Sequence, residues 1–287
     1  MRARSRRKRR RRATGVAALI LLALTACACA AGVAGKLIAE RKAAAGIAAL
    51  QERVRTAGQT EIVVIELANG ESAADTADSP QPTPTSAPTL SPEDAETLAA
   101  YAQLQAENGE FAGWIRVPDT QADCPVMYSP DRPQYYYQRD FDGKSSKRGM
   151  IFIDESSAPD ARNVLIYGHN MKSGSMFGEL DKYLDESFAL SHMEIRFDTV
   201  ERLGTYRVIS VYQTTVGADD SYPFYAYAGI RTDEELAAYG QEALERSLFD
   251  FGGTVSPDDR LLTLVTCNYY AKNGRLILVA KRVGSNA

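Results

Sequence analysis

Seven short runs rich in β-branched and aromatic residues constrain this chain more than any other feature. They lie at 113–117, 150–154, 163–167, 194–197, 205–213, 261–267 and 275–283, with turn formers between them. Strands this short and numerous, without a helix between each pair, argue against a parallel sheet of alternating strand and helix. They predict a mainly β fold, a closed or nearly closed barrel with peripheral helices. Ser91-Pro92-Glu93-Asp94 starts one helix, with a serine cap, a proline at the first position and acids in the first turn. That helix is expected to reach Glu107, with Leu98, Tyr101 and Leu104 on one side. A second helix is expected from Thr232-Asp233-Glu234-Glu235 to about Phe249, inserted before the last two strands. A short helix is expected around 175–184, and EIVVIEL at 61–67 reads as a short strand.

The first seventy residues obey different rules. Nine of the 33 Lys and Arg residues stand within the first twelve positions, so the remainder, set against 37 Asp and Glu, is acidic. A basic run can bind nucleic acid, but this one abuts an uncharged stretch at 13–34, long enough to cross a bilayer core as a helix. That adjacency predicts a signal-anchor at 13–34, a basic cytoplasmic N-terminus at 1–12 and the rest of the chain outside the cell membrane. It disfavours a nucleic-acid partner. A cleaved signal peptide, or a lipoprotein signal at Leu24-Thr25-Ala26-Cys27, remains an alternative. Residues 35–71 read as a juxtamembrane segment, largely helical. Residues 72–91, with Pro80, Pro82, Pro84 and Pro88, read as an extended linker, and a folded domain occupies 92–285.

The chain has four cysteines and two histidines. Cys27 and Cys29 fall in the anchor, leaving Cys124 and Cys267 in the folded part. Counting alone permits a disulfide between them, but exported domains stapled by disulfides carry more cysteines. No spaced set of metal ligands is present, so no metal cofactor is expected. Cys267 ends one apolar run, Arg275 opens the next, and His169 follows the strand at 163–167. Each has an ordinary counterpart: a small buried thiol, a solvated arginine, a structural histidine. Together, at strand ends, they are the parts of a thiol acyl-transfer site. His192, in LSHM, carries no such context.

The local sequence around these residues resembles the sortases. TLVTC at 263–267 is similar to their Thr-Leu-x-Thr-Cys pattern, Arg275 to the arginine opening the next strand, and YGH at 167–169 to their histidine segment. NGEFAGWI at 108–115, YGHNMKSGSMFG at 167–178 and the helix at 233–249 resemble class B members. Three positions depart from that class: Cys124 stands where a tyrosine or similar residue is usual, Asp119 where glycine is common, and the link from Cys267 to Arg275 is short.

The resemblance implies a sortase-like closed barrel of about eight strands, with an N-terminal helix and a helix before the cysteine strand. It implies a membrane-anchored cysteine transpeptidase with Cys267 as nucleophile, His169 as general acid and base, and Arg275 as stabiliser of the substrate carbonyl. The implied partners are secreted proteins with a C-terminal sorting signal cleaved after threonine, and an amine of the cell-wall precursor or a pilin lysine. Asn170, Thr266, Tyr222 and Tyr225 are candidate substrate contacts. Two rivals are a cysteine peptidase that hydrolyses the same signal and a non-catalytic envelope binding module on the same barrel.

Overall fold

The computed structural model describes residues 2–57, 90–218 and 221–284, with side chains described from residue 25 onward. The expected strand at 61–67 and nearly all of the expected linker lie outside them. The chain divides into two compact units, Met1–Gly46 and Ile47–Ala287. The first is helical throughout its described residues, part of α1 (Arg2–Ala57). Among the described residues no helix is long and apolar enough to cross a membrane. Positions 13–24 of the expected span have their side chains outside the described residues.

The second unit is a closed eight-stranded barrel with peripheral helices. After α2 (Pro92–Glu107) come β1 (Phe111–Arg116), β2 (Asp123–Met127), β3 (Ile151–Ile153) and β4 (Asn163–Tyr167). A short helix α3 (Glu186–Ser191) precedes β5 (Glu194–Thr199) and β6 (Thr205–Thr215). Helix α4 (Asp233–Arg246) then precedes β7 (Leu261–Cys267) and β8 (Gly274–Val283). The barrel order is β1-β2-β3-β4-β7-β8-β6-β5, closing from β5 to β1. The β2–β3 and β4–β7 pairs are parallel and the others antiparallel.

Strand β2 was not expected, because Pro125 sits in its middle. A proline cannot donate to a ladder. Here Pro125 opposes Trp114 of β1, and the pairing with β3 begins only at Val126. The lost donor therefore falls where β3 makes no demand. The helix expected around 175–184 is a 3-10 turn, Leu180–Leu184, and α3 follows it. Helix α4 has the expected capping box, with the Thr232 side chain and Glu235 each bonding the other's backbone N–H. It stops at Arg246 because the next residues return to the barrel, Leu248 N–H donating to the Val211 carbonyl at 2.8 Å.

Alternation along the strands sends side chains to two faces. Inward residues such as Ile115, Cys124, Ile166, Leu264 and Leu278 fill the barrel. Outward residues are buried in two separate clusters. One, with Leu165, Tyr212, Val265 and Ile277, lies under α4 through Leu236, Tyr239 and Ala243. The other, with Phe111, Trp114 and Met127, lies under Tyr101 and Leu104 of α2 and under Leu50 and Val54 of α1. The last turns of α1 thus belong to the barrel's outer packing. Arg53 and Glu107 add a two-pronged ion pair there, at 2.5 and 2.9 Å.

Candidate active site

The site is set by strand register. In the β7–β8 hairpin Cys267 lies directly opposite Arg275, so both side chains project from the same face. Leu262 and Leu264 point into the barrel, and by alternation Thr266 does too. Cys267 and Arg275 therefore point outward, and both are partly exposed. The intervening turn is closed by Asn268 N–H to the Gly274 carbonyl at 2.9 Å, with Asn273 in the left-handed region. That short turn is compatible with a direct Cys–Arg pairing.

Strand β4 runs parallel to β7 with constant offset, from Asn163 beside Leu261 to Tyr167 beside Val265. Gly168 N–H continues the ladder to the Val265 carbonyl at 3.1 Å. Extended two residues beyond the Tyr167–Val265 pair, the register sets His169 level with Cys267. A Cβ at Gly168 would lie 2.5 Å from the Phe177 ring, so only glycine lets the loop pass there. Phe177 N–H in turn holds the His169 carbonyl at 3.0 Å.

The His169 imidazole packs on Tyr137, ring centroids 4.2 Å apart, and its Nε2 is 2.7 Å from the Tyr137 carbonyl. A carbonyl can only accept, so Nε2 carries the proton and Nδ1 is the nitrogen left for proton transfer. Tyr137 lies in the 3-10 turn Tyr135–Gln138. Sequence reasoning missed this partner, because a backbone carbonyl has no residue-type signal.

The remaining candidates divide by position. Asn170 Nδ2 donates to the Cys267 carbonyl at 2.8 Å and to Asp181 at 3.0 Å. Thr266 is buried on the face opposite Cys267, and its hydroxyl donates to the Gly168 carbonyl at 2.8 Å. It reaches the site by tying the histidine loop to β7. Tyr222 is buried under α4, stacked on Tyr227 with ring centroids 5.9 Å apart. Its N–H bonds Thr214, the residue opposite Arg275, at 3.1 Å. Tyr225 sits in the neighbouring 3-10 turn, Phe224–Tyr227, and is 47% exposed. Below the site, burial and then the Asp154 charge push the Tyr167 hydroxyl well above its ordinary value, with Arg275 opposing. Tyr167 therefore stays protonated and bonds Asp154, whose own carboxyl burial shifts upward.

The four cysteines are free. Cys124 cannot reach Cys267, because it points into the barrel opposite Ile115, and burial drives its thiol well above the usual range. His192 bonds Asp119 at 2.8 Å and stacks on Phe188, remote in sequence from the Cys267 hairpin.

Comparison with known proteins finds one family. The Sortase domain family matches residues 115–283. A curated sortase B of Listeria monocytogenes is 32% identical over 185 residues, 63% of this chain and 72% of the relative. A Bacillus anthracis crystal structure described as similar to sortase B is 35% identical, with a TM-score of 0.58, covering 65% of this chain and 84% of that one. A Staphylococcus aureus sortase B–substrate complex shares the fold, with a TM-score of 0.65 at 21% identity over 87% of this chain and all of that one.

Proposed function

Because the chain belongs to the sortase family, and to its class B, it is a cysteine transpeptidase acting on sorting signals, and we propose that Cys267, His169 and Arg275 carry the reaction. The observation that carries this reading is the outward pairing of Cys267 with Arg275, with the His169 loop laid alongside. The Cys267 thiolate attacks the carbonyl carbon of the signal's threonine. The guanidinium of Arg275 donates to the oxyanion that forms, from a fixed position on the adjoining strand. His169 Nδ1, having taken the proton from the Cys267 thiol, gives it to the departing amine, and the thioacyl enzyme remains. A second amine, from the cell-wall precursor or a pilin lysine, then attacks the thioester. His169 takes its proton as Cys267 leaves.

The reading extends to topology. The arginine-rich N-terminus stays in the cytoplasm, 13–34 spans the membrane, and the barrel works outside on exported proteins. The basic run followed by an uncharged stretch supports this.

The test is a library of peptides bearing candidate sorting signals, incubated with the detergent-solubilised full chain with and without an acceptor amine. Mass spectrometry is expected to find cleavage after threonine and the amine adduct. Hydrolysis with no adduct under saturating amine would establish the peptidase reading instead. Absence of any cleavage would favour the binding module.

A further inference from the structure

Two loops bring the reacting groups together, and one carboxylate touches both. Asp181 Oδ2 accepts from Asn170 Nδ2 at 3.0 Å, and its Oδ1 accepts from Asn268 Nδ2 at 3.0 Å. Asn170 is the residue after His169, and Asn268 is the residue after Cys267. The same Asn170 amide also holds the Cys267 carbonyl at 2.8 Å. The Asn268 side chain is buried, and its Oδ1 accepts from Tyr270 N–H at 2.9 Å, shaping the turn toward Arg275.

The support beneath Asp181 is rigid. Its 3-10 turn is rooted by Leu180 and Tyr183, both fully buried in the barrel interior, and the Tyr183 hydroxyl bonds the His192 carbonyl at 2.7 Å. Only a carboxylate presents two acceptor oxygens and no donor, so only Asp or Glu can take one amide from each loop. Glutamate would carry the head one methylene further out.

We infer that Asp181 is a positioning residue for transfer: it clamps the histidine loop to the turn after the cysteine, and so fixes the separation of His169 from Cys267. This rests on the reading that those two side chains react. Substrate need not touch Asp181, so its effect falls on the chemical steps, where small misplacements are costly. The clamp differs from simple packing in one respect: acceptor and donor can be exchanged between its ends.

The experiment uses the full chain, with Asp181→Asn and the exchanged double variant Asp181→Asn/Asn268→Asp. The single variant turns an NH2 group toward one of the two loop amides. Its kcat is expected to fall by roughly ten- to a hundredfold with KM within about threefold. In the double variant the introduced amide accepts from Asn170 and donates to the introduced carboxylate, which still accepts from Tyr270. It is expected to regain most of kcat. Hydrogen exchange at Phe177 and Asn268, whose amides close the two loops, is read on the same proteins. Exchange should speed by about tenfold in the single variant and slow again in the double. That readout needs no turnover, so an inactive parent with this exchange pattern sinks the functional reading and keeps the clamp. Should Asp181→Asn not fold, Asn268→Ala is read in its place, with loss of kcat and faster exchange again expected. Wild-type kcat and exchange in the single variant, or losses that the exchanged variant leaves unrelieved, would overturn the inference.

Discussion

The β1–β2 and β7–β8 hairpins are the same supersecondary unit, and each carries a cysteine, yet only one leaves its thiol partly exposed. In the first, Cys124 opposes Ile115 and both enter the barrel interior. In the second, Cys267 opposes Arg275 and both face outward. The difference is one of strand parity. A one-residue slip in either hairpin would exchange the faces. Position along the strand adds to it. Cys267 is the last residue of β7, where pairing gives way to a loop, while Cys124 lies inside β2. Facing out at a strand end leaves the Cys267 thiol partly exposed beside a cation.

The largest test of that contrast is Cys267→Ala. Transpeptidation is expected to drop to the assay background, a fall on the order of 10⁴ or more, with the thermal midpoint close to that of the parent chain. Retained turnover would break the comparison outright. Next comes Arg275→Lys, which keeps the charge but loses the planar fork that two hydrogen bonds require. A fall in kcat of about 10²–10³ is expected, with a smaller change in KM. A change in KM alone would make Arg275 a docking cation and leave the oxyanion to other donors.

The difference between the hairpins was partly visible beforehand. The β7–β8 pair announces itself through two unbroken apolar runs, a turn, and charged or thiol residues at the junction. Helix α4 is legible for a similar reason, since its capping box and apolar spacing lie within one turn of each other. Strand β2 hides because Pro125 breaks the local pattern, and only its neighbours show that the missing donor costs nothing there. Asp181 and the Tyr137 carbonyl are hidden more deeply. Their bonds to Asn268 and His169 span 87 and 32 residues, and a carboxylate in LDKY resembles any solvated acid. Local periodicity reports which face a residue takes; it does not report which loops meet.

The first hairpin gives the smaller tests, because its role is structural. Cys124→Ser puts a hydroxyl into the apolar barrel interior in place of a weakly polar thiol. A loss of about 1–3 kcal/mol in unfolding free energy is expected, with kcat per folded molecule unchanged. A loss of kcat without a loss of stability would mean that the two cysteines communicate.

The smallest effect concerns the turn between β1 and β2, where Asp119 adopts φ 55. That left-handed conformation explains why glycine suits the position, and this chain compensates with the bond from Asp119 to His192 at 2.8 Å. Asp119→Gly removes the bond and the backbone cost together, so its stability should stay within about 0.5 kcal/mol of the parent. Asp119→Ala removes the bond and keeps the cost, and should fall about 1 kcal/mol below the glycine variant. The difference in denaturant midpoint at unchanged slope measures it. Equal midpoints for the two variants would mean that the turn relaxes out of the left-handed region once the histidine bond is gone. The β1–β2 hairpin would then be held by its strands alone, as β7–β8 is not.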